Sequence, residues 1–287
     1  MRYPLYLLCL CMGALSTATS TTTLASDRLK ERSWAEQIRE QLIVGQALEL
    51  STEAAAATAT EPATAPQTFF ALYTPAEGTL KRGGVILLHG LGAHPDWPDV
   101  IAPLRKALPE AGWATLSIQL PVWPNSANFE DYPPLFPAAN RRISAAVAHL
   151  QQQGIANITL VGHSLGAAMG AYFLAQKAPG SDAIRAFVGI GMNQAPGSVA
   201  HTPDALANIT IPVLDLYGAF DLDGVRDSAR ARAASQADNG GYRQTVIAGA
   251  DHFFQGLDTT LIKRVAGWLT QMATDPAAND APVKTRP

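Results

Sequence analysis

Cysteine is almost missing from this chain: 287 residues carry only Cys9 and Cys11, both inside one apolar run near the N-terminus. If that run is removed as a targeting segment, no thiol is left, which excludes disulfides, thiolate metal sites and a cysteine nucleophile together. A charge excess of one sign is missing too. The 21 Lys and Arg stand against 24 Asp and Glu, for a net charge of −3, and the basic residues are scattered. No concentrated basic face exists to meet nucleic acid. No apolar run reaches the ~20 residues that a membrane-spanning helix needs. The longest, 3–15, follows Arg2 and runs into a Ser- and Thr-rich stretch. A short positive start, an apolar core and small residues behind it read as a secretory signal peptide. Residues 1–25 are therefore expected to be removed, with cleavage near 20–26. The mature chain then has no transmembrane anchor and is exported, to the periplasm or out of the cell.

What remains is 47% apolar over the whole chain, enough for a substantial core. Residues 26–66 divide into a helix and a loop. Over 27–42, Trp34, Ile38 and Leu42 stand four apart on one face, as in an accessory helix docking on the body. The stretch 51–67 is Ala, Thr and Pro with little to bury. From 67 to 273 apolar runs alternate with helical patterns. Strands are predicted at 69–73, 85–88, 114–120, 158–161, 186–190, 213–217 and 242–247, and helices at 100–111, 138–153, 165–176, 224–237 and 260–272. Apolar strands alternating with helices predict an α/β fold: a mostly parallel central sheet with helices on both faces. Residues 274–287, rich in Ala, Pro and Asp, read as a flexible tail.

In such a sheet, ligands bind beyond the carboxyl ends of the strands. Three residues that follow predicted strands carry complementary chemistry. Ser164 lies in Gly162-His-Ser-Leu-Gly166, between a β-branched run and a run of small helix formers. That is the pattern of a nucleophile held on a tight strand-to-helix turn. A serine hydroxyl needs a base, and His252 follows the last strand. The imidazole needs a carboxylate to fix its tautomer, and Asp221 follows the strand before it. Asp215 and Asp223 are the competing acids. The oxyanion of a tetrahedral intermediate needs N–H donors. Leu165 supplies one at a helix start, and Leu91, between Gly90 and Gly92, is expected to supply the other. His89 is expected to hold the oxyanion loop by hydrogen bonds without transferring a proton, and His163 reads as structural. His94 with Asp96 gives only two candidate ligands, so no metal and no cofactor are expected.

The motifs Val85-Ile-Leu-Leu-His-Gly90, Gly162-His-Ser-Leu-Gly166, Tyr217-Gly-Ala-Phe-Asp221 and Asp251-His-Phe-Phe254 resemble the α/β-hydrolase superfamily, and in its order, over about 67–272. The N-terminal piece is similar to an uncharacterised bacterial family of exported α/β-hydrolase-like proteins. The resemblance implies a serine–aspartate–histidine triad but no particular substrate. Asp221 lies 57 positions after Ser164 and His252 31 positions after Asp221, too few for a large cap domain. The segment 121–136 is long for a strand-to-helix link. Its Trp123, Phe129, Tyr132 and Phe136 are expected to line a pocket for a small-molecule or lipid-like acyl substrate. A loop that merely packs these rings on the body is the competing reading. Three functions stay open: a serine hydrolase acting on esters, an acyltransferase with the same triad, and a catalytically silent module for binding or envelope assembly.

Overall fold

The computed structural model describes residues 26–54, 56 and 63–274. The signal-peptide stretch 1–25 and the tail from 275 lie outside the described residues. Helix α1 (Arg28–Gln41) starts at Asp27, whose carboxylate accepts from the Lys30 N–H. Its buried Ala35 and Ile38, flanked by Trp34 and Leu42, pack on Phe70 and Leu72. The chain then forms a strand that the sequence pattern did not predict, β1 (Gln46–Ser51), antiparallel to β2 (Thr68–Thr74). There follow β3 (Gly83–Leu88), α2 (Ile101–Ala107), β4 (Trp113–Ile118), α3 (Phe136–Gln152), β5 (Ile158–His163), α4 (Leu165–Ala175) and β6 (Ile184–Ile190). The chain goes on through α5 (Thr202–Leu206), β7 (Val213–Phe220), α6 (Asp223–Ser235), β8 (Tyr242–Asp251) and α7 (Asp258–Thr274). The predicted helix 100–111 divides, because Pro109 closes α2 into a 3₁₀ turn at Leu108–Ala111. The short α5 escaped prediction.

All eight strands form one sheet in the order β1-β2-β4-β3-β5-β6-β7-β8. The pairs β1/β2 and β2/β4 are antiparallel, and every pair from β4 to β8 is parallel. Strand periodicity sorts the core into two layers. Ile86 and Leu88 of β3 face a cluster with Ile143 and Leu150 of α3 and Met169 and Phe173 of α4. Val85 and Leu87 face the opposite cluster, with Leu104 of α2 and Val265 and Leu269 of α7. Order along the sheet reverses at β3, with β4 on one side and β5 on the other. In open parallel sheets such a reversal is where ligands commonly bind, beyond the carboxyl ends of the strands.

Candidate active site

Ser164 sits at the first residue past β5 with φ 54° and ψ −119°. A non-glycine residue at positive φ is strained, by about 1–3 kcal/mol, and such strain clusters at functional turns. Two glycines let the turn close. A Cβ on Gly162 would lie 2.6 Å from the backbone of Ala167, and one on Gly166 would lie 2.4 Å from the carbonyl oxygens of Leu88 and His89. The N–H of Ser164 donates to the Ile190 carbonyl at 2.8 Å, which ties the turn to the end of β6.

The base and acid come together through strand register. Strands β7 and β8 run parallel and Phe220 pairs with Asp251. Asp221 and His252 are the residues that follow these two strand ends, so the pairing sets them side by side. His252 Nδ1 lies 2.5 Å from Asp221 Oδ1. Asp221 also accepts from the N–H of Leu222 at 2.8 Å and of Gly218 at 3.2 Å. Burial alone would raise its carboxyl, but the hydrogen bond and charge of His252, with those two amides, hold it below the usual carboxylate value. Gly191, next to the Ile190 that holds Ser164, lies under the pair. A Cβ there would be 3.0 Å from His252 Nδ1 and 3.3 Å from Asp221 Oδ2. Asp221 and His252 thus meet at the ends of the adjacent strands β7 and β8, and β6 lies between them and β5, which leads into Ser164.

The competing acids are engaged elsewhere. Asp215 is fully buried and accepts from Arg232, Tyr242 and Gln244. Asp223 is exposed and pairs with Arg226. His163 donates from Nε2 to the His252 carbonyl at 2.9 Å, so it steadies the main chain of the base. Burial, with His252 close by, lowers its pKa to about 4, and the ring is neutral at physiological pH.

The loop after β3 lies against the serine: a Cβ on Gly90 would be 3.4 Å from Ser164 Cβ. Among the described residues, neither the Leu91 nor the Leu165 N–H has a protein acceptor. The segment 121–136 is more ordered than a plain loop, with 3₁₀ turns at Phe129–Asp131 and Pro133–Leu135. Phe129, Tyr132 and Phe136 are buried in the core, and Phe136 stacks edge-on against Tyr172. Only Trp123 of the four keeps substantial exposure, with its indole N–H on the Asp131 carbonyl. His94 lies between Trp34 and Trp97 and takes the Asp96 N–H, while Asp96 pairs with Arg105. Among the described residues no three His, Cys, Asp or Glu side chains gather as a metal site.

Sequence reasoning passed over Glu31 and Arg142, a buried ion pair at 2.9 Å. The signal was present. Arg142 interrupts the buried stripe Ala139, Ile143, Ala146, Val147 and Leu150 of α3, and Glu31 shares the buried face of α1 with Ala35 and Ile38. A charge on an apolar stripe needs a partner.

A family model described as "Protein of unknown function (DUF3530)" matches residues 5–135 and 137–271, most of the chain. The chain belongs to the DUF3530 family. No curated protein matches it in sequence. Among solved structures, Est1E from Butyrivibrio proteoclasticus aligns with TM-score 0.57 at 16% identity, over 79% of this chain and 98% of its own. XC6422 from Xanthomonas campestris, titled a member of a/b serine hydrolase without lid, aligns with TM-score 0.58 at 15% identity, over 81% and 96%. Dienelactone hydrolase from Anabaena variabilis aligns with TM-score 0.56 at 18% identity, over 80% and 99%. At such identities the likeness is one of fold, and this DUF3530 chain has the α/β-hydrolase fold, with no large cap domain among the described residues.

Proposed function

We propose that this DUF3530 protein is a serine hydrolase acting on an ester or related acyl compound outside the cytoplasm. Ser164 Oγ attacks the acyl carbonyl while His252 Nε2 takes its proton, and Asp221 holds the Nδ1–H and stabilises the imidazolium. The N–H groups of Leu91 and Leu165 receive the oxyanion. His252 then protonates the departing alkoxide. Water, deprotonated by the same ring, cleaves the acyl-enzyme and returns the proton to Ser164. The observation that carries this reading is the 2.5 Å Asp221–His252 pair at the sheet edge that bears the strained Ser164. The neighbours titled serine hydrolase and dienelactone hydrolase support the same class.

An apolar, lipid-like acyl group fits the rim of the site. Leu91, Phe220, Leu222 and Phe253 are exposed, and the last three are chain neighbours of Asp221 and His252. Phe220 keeps 72% of its surface in solvent. Covering such rings with an acyl chain removes apolar area from water, at ~25 cal/mol per Å². Trp123 is our candidate for the far wall. Export rests on the apolar run and small residues of 1–25.

The test is labelling by a fluorophosphonate probe, with p-nitrophenyl ester turnover beside it. Wild type should label at Ser164 and hydrolyse esters, and Ser164→Ala should do neither. No label and no turnover would leave the silent binding module. An ester product appearing on an added alcohol in place of free acid would identify the acyltransferase. Mass analysis of protein from its own host should find a start between about 21 and 27; a retained Met1 would rule out export by cleavage.

A further inference from the structure

Helix α1 lies outside the parallel part of the fold, yet a continuous line of buried hydrogen bonds runs from it to the loop beside Ser164. Glu31 and Arg142 are 6% and 1% exposed. Burying two charges is costly unless their remaining valences are filled. Here they are filled by main chain. Glu31 Oε2 accepts from Arg142 at 2.9 Å and Oε1 from the Val122 N–H at 3.3 Å, while Arg142 donates to the Gln119 carbonyl at 2.9 Å. The pair therefore grips the segment from 119 to 122 at both ends. From that segment the Gln119 side chain and the Leu120 N–H both donate to His89 Nε2, each at 2.9 Å.

Two donors on Nε2 leave the single ring proton of His89 on Nδ1. Nδ1 lies 2.9 Å from the Gly90 carbonyl and donates to it. Burial, with the positive charge of Arg142 among lesser causes, lowers the His89 pKa to about 3, so the ring stays neutral and the tautomer holds. The Gly90 carbonyl shares its peptide plane with the Leu91 N–H. No cis peptide occurs among the described residues, and in a trans peptide these two groups point in opposite directions. Fixing the carbonyl therefore aims the N–H.

We infer that Glu31 and Arg142 are positioning residues of the active site: acting through Gln119 and His89, they set the direction of the Leu91 N–H as an oxyanion donor. The N-terminal helix is then part of the catalytic apparatus. Its other contacts serve the same loops. Trp34 packs its ring 5.4 Å from that of His94, Lys30 donates to the Trp123 carbonyl, and the Asp27 N–H donates to the Val122 carbonyl. The inference rests on the hydrolase reading and deepens it.

The experiment separates aim from stability. Removing one charge strands the other, so Glu31→Gln alone lowers the melting temperature. Replacing both, as Glu31→Leu with Arg142→Met, removes the cost of burying the pair but leaves the Val122 N–H and the Gln119 carbonyl without these partners. That double variant should lose less melting temperature than Glu31→Gln alone, and kcat is compared well below its melting point. On a p-nitrophenyl ester its kcat should fall at least about tenfold with KM within about twofold, since an oxyanion donor acts in the transition state and a lost one costs about 100- to 1000-fold. Gln119→Ala should lower kcat similarly, and adding it to the double variant should cost little more. A stable double variant with unchanged kcat overturns the positioning role and leaves the hydrolase reading standing. A wild type that turns over no ester overturns both.

Discussion

At the scale of single residues the proposed chemistry rests on three side chains. Ser164→Ala or His252→Ala should lower kcat by about a millionfold, as where a serine triad acts as a unit. Asp221→Asn should cost about ten-thousandfold by allowing the wrong tautomer of His252. Asp223→Asn, at an exposed ion pair, should leave ester turnover within about twofold, which a parallel assay would check. Asp215→Asn is different again. It removes the charge and one of the two carboxylate oxygens facing buried Arg232 and should destabilise the fold by about 3–5 kcal/mol, read as a lower denaturation midpoint. Ser164, Asp221 and His252 could be singled out because each lies a few residues past the end of a predicted strand. The aromatic wall was legible only as composition: a ring count cannot say whether Phe136 faces a ligand or Tyr172. Glu31 and Arg142 stood on recognisable stripes, but nothing in one chain pairs residues 111 positions apart.

Among the elements, the elbow between β5 and α4 has the least room to vary. Helix α4 lies so close to β3 that Gly166→Ala would push a methyl against two main-chain carbonyls. Main chain cannot yield as a flexible side chain does, so this variant should lose about 1–3 kcal/mol, or more, in a urea melt. Ester turnover should fall with it, because Leu165 moves with α4. Strands buried on both faces announced themselves as continuous apolar runs. Strand β1 did not, since Gln46–Ser51 lies at the sheet edge and mixes Gln, Glu and Ser with Ala and Leu. The last residues of β7 and β8 were missed for another reason. They hold together by pairing with each other past a register shift between Gly218 and Phe220, which is a tertiary fact. That shift is also what brings Asp221 level with His252.

For the molecule as a whole, the buried histidines predict how it meets acid. His89 and His163 have folded pKa values of about 3 and about 4, below the unfolded 6.5. Below pH 6.5 the unfolded chain binds protons that the folded one refuses, so stability falls as pH drops from about 6.5 toward 4. Each ring contributes ~1.4 kcal/mol per pH unit in that window. Asp221, held below its ordinary 3.8, adds a further loss only at lower pH. Thermal melts from pH 7 to 4 should show the slope, and His163→Gln, whose amide can still reach the His252 carbonyl, should flatten it without abolishing it. The fold class and the two-sided sheet were readable from alternation alone, while the line from α1 to the serine loop was not, because every step in it crosses between elements.

The span of the Glu31–Arg142 pair also sets an order of events in time. Helix α1 is the first described element to be made, yet its polar anchors, Val122 and Arg142, follow 91 and 111 positions later. The strand it packs on, β2, waits as well, since it joins the rest of the sheet through β4. At about 5–20 residues per second, synthesis leaves α1 undocked for on the order of ten seconds, with Trp34 and Ile38 lacking their final cover. The nascent chain thus carries α1 without its final cover until about half of the chain is made, a ready binding segment for any chaperone that holds unfolded protein.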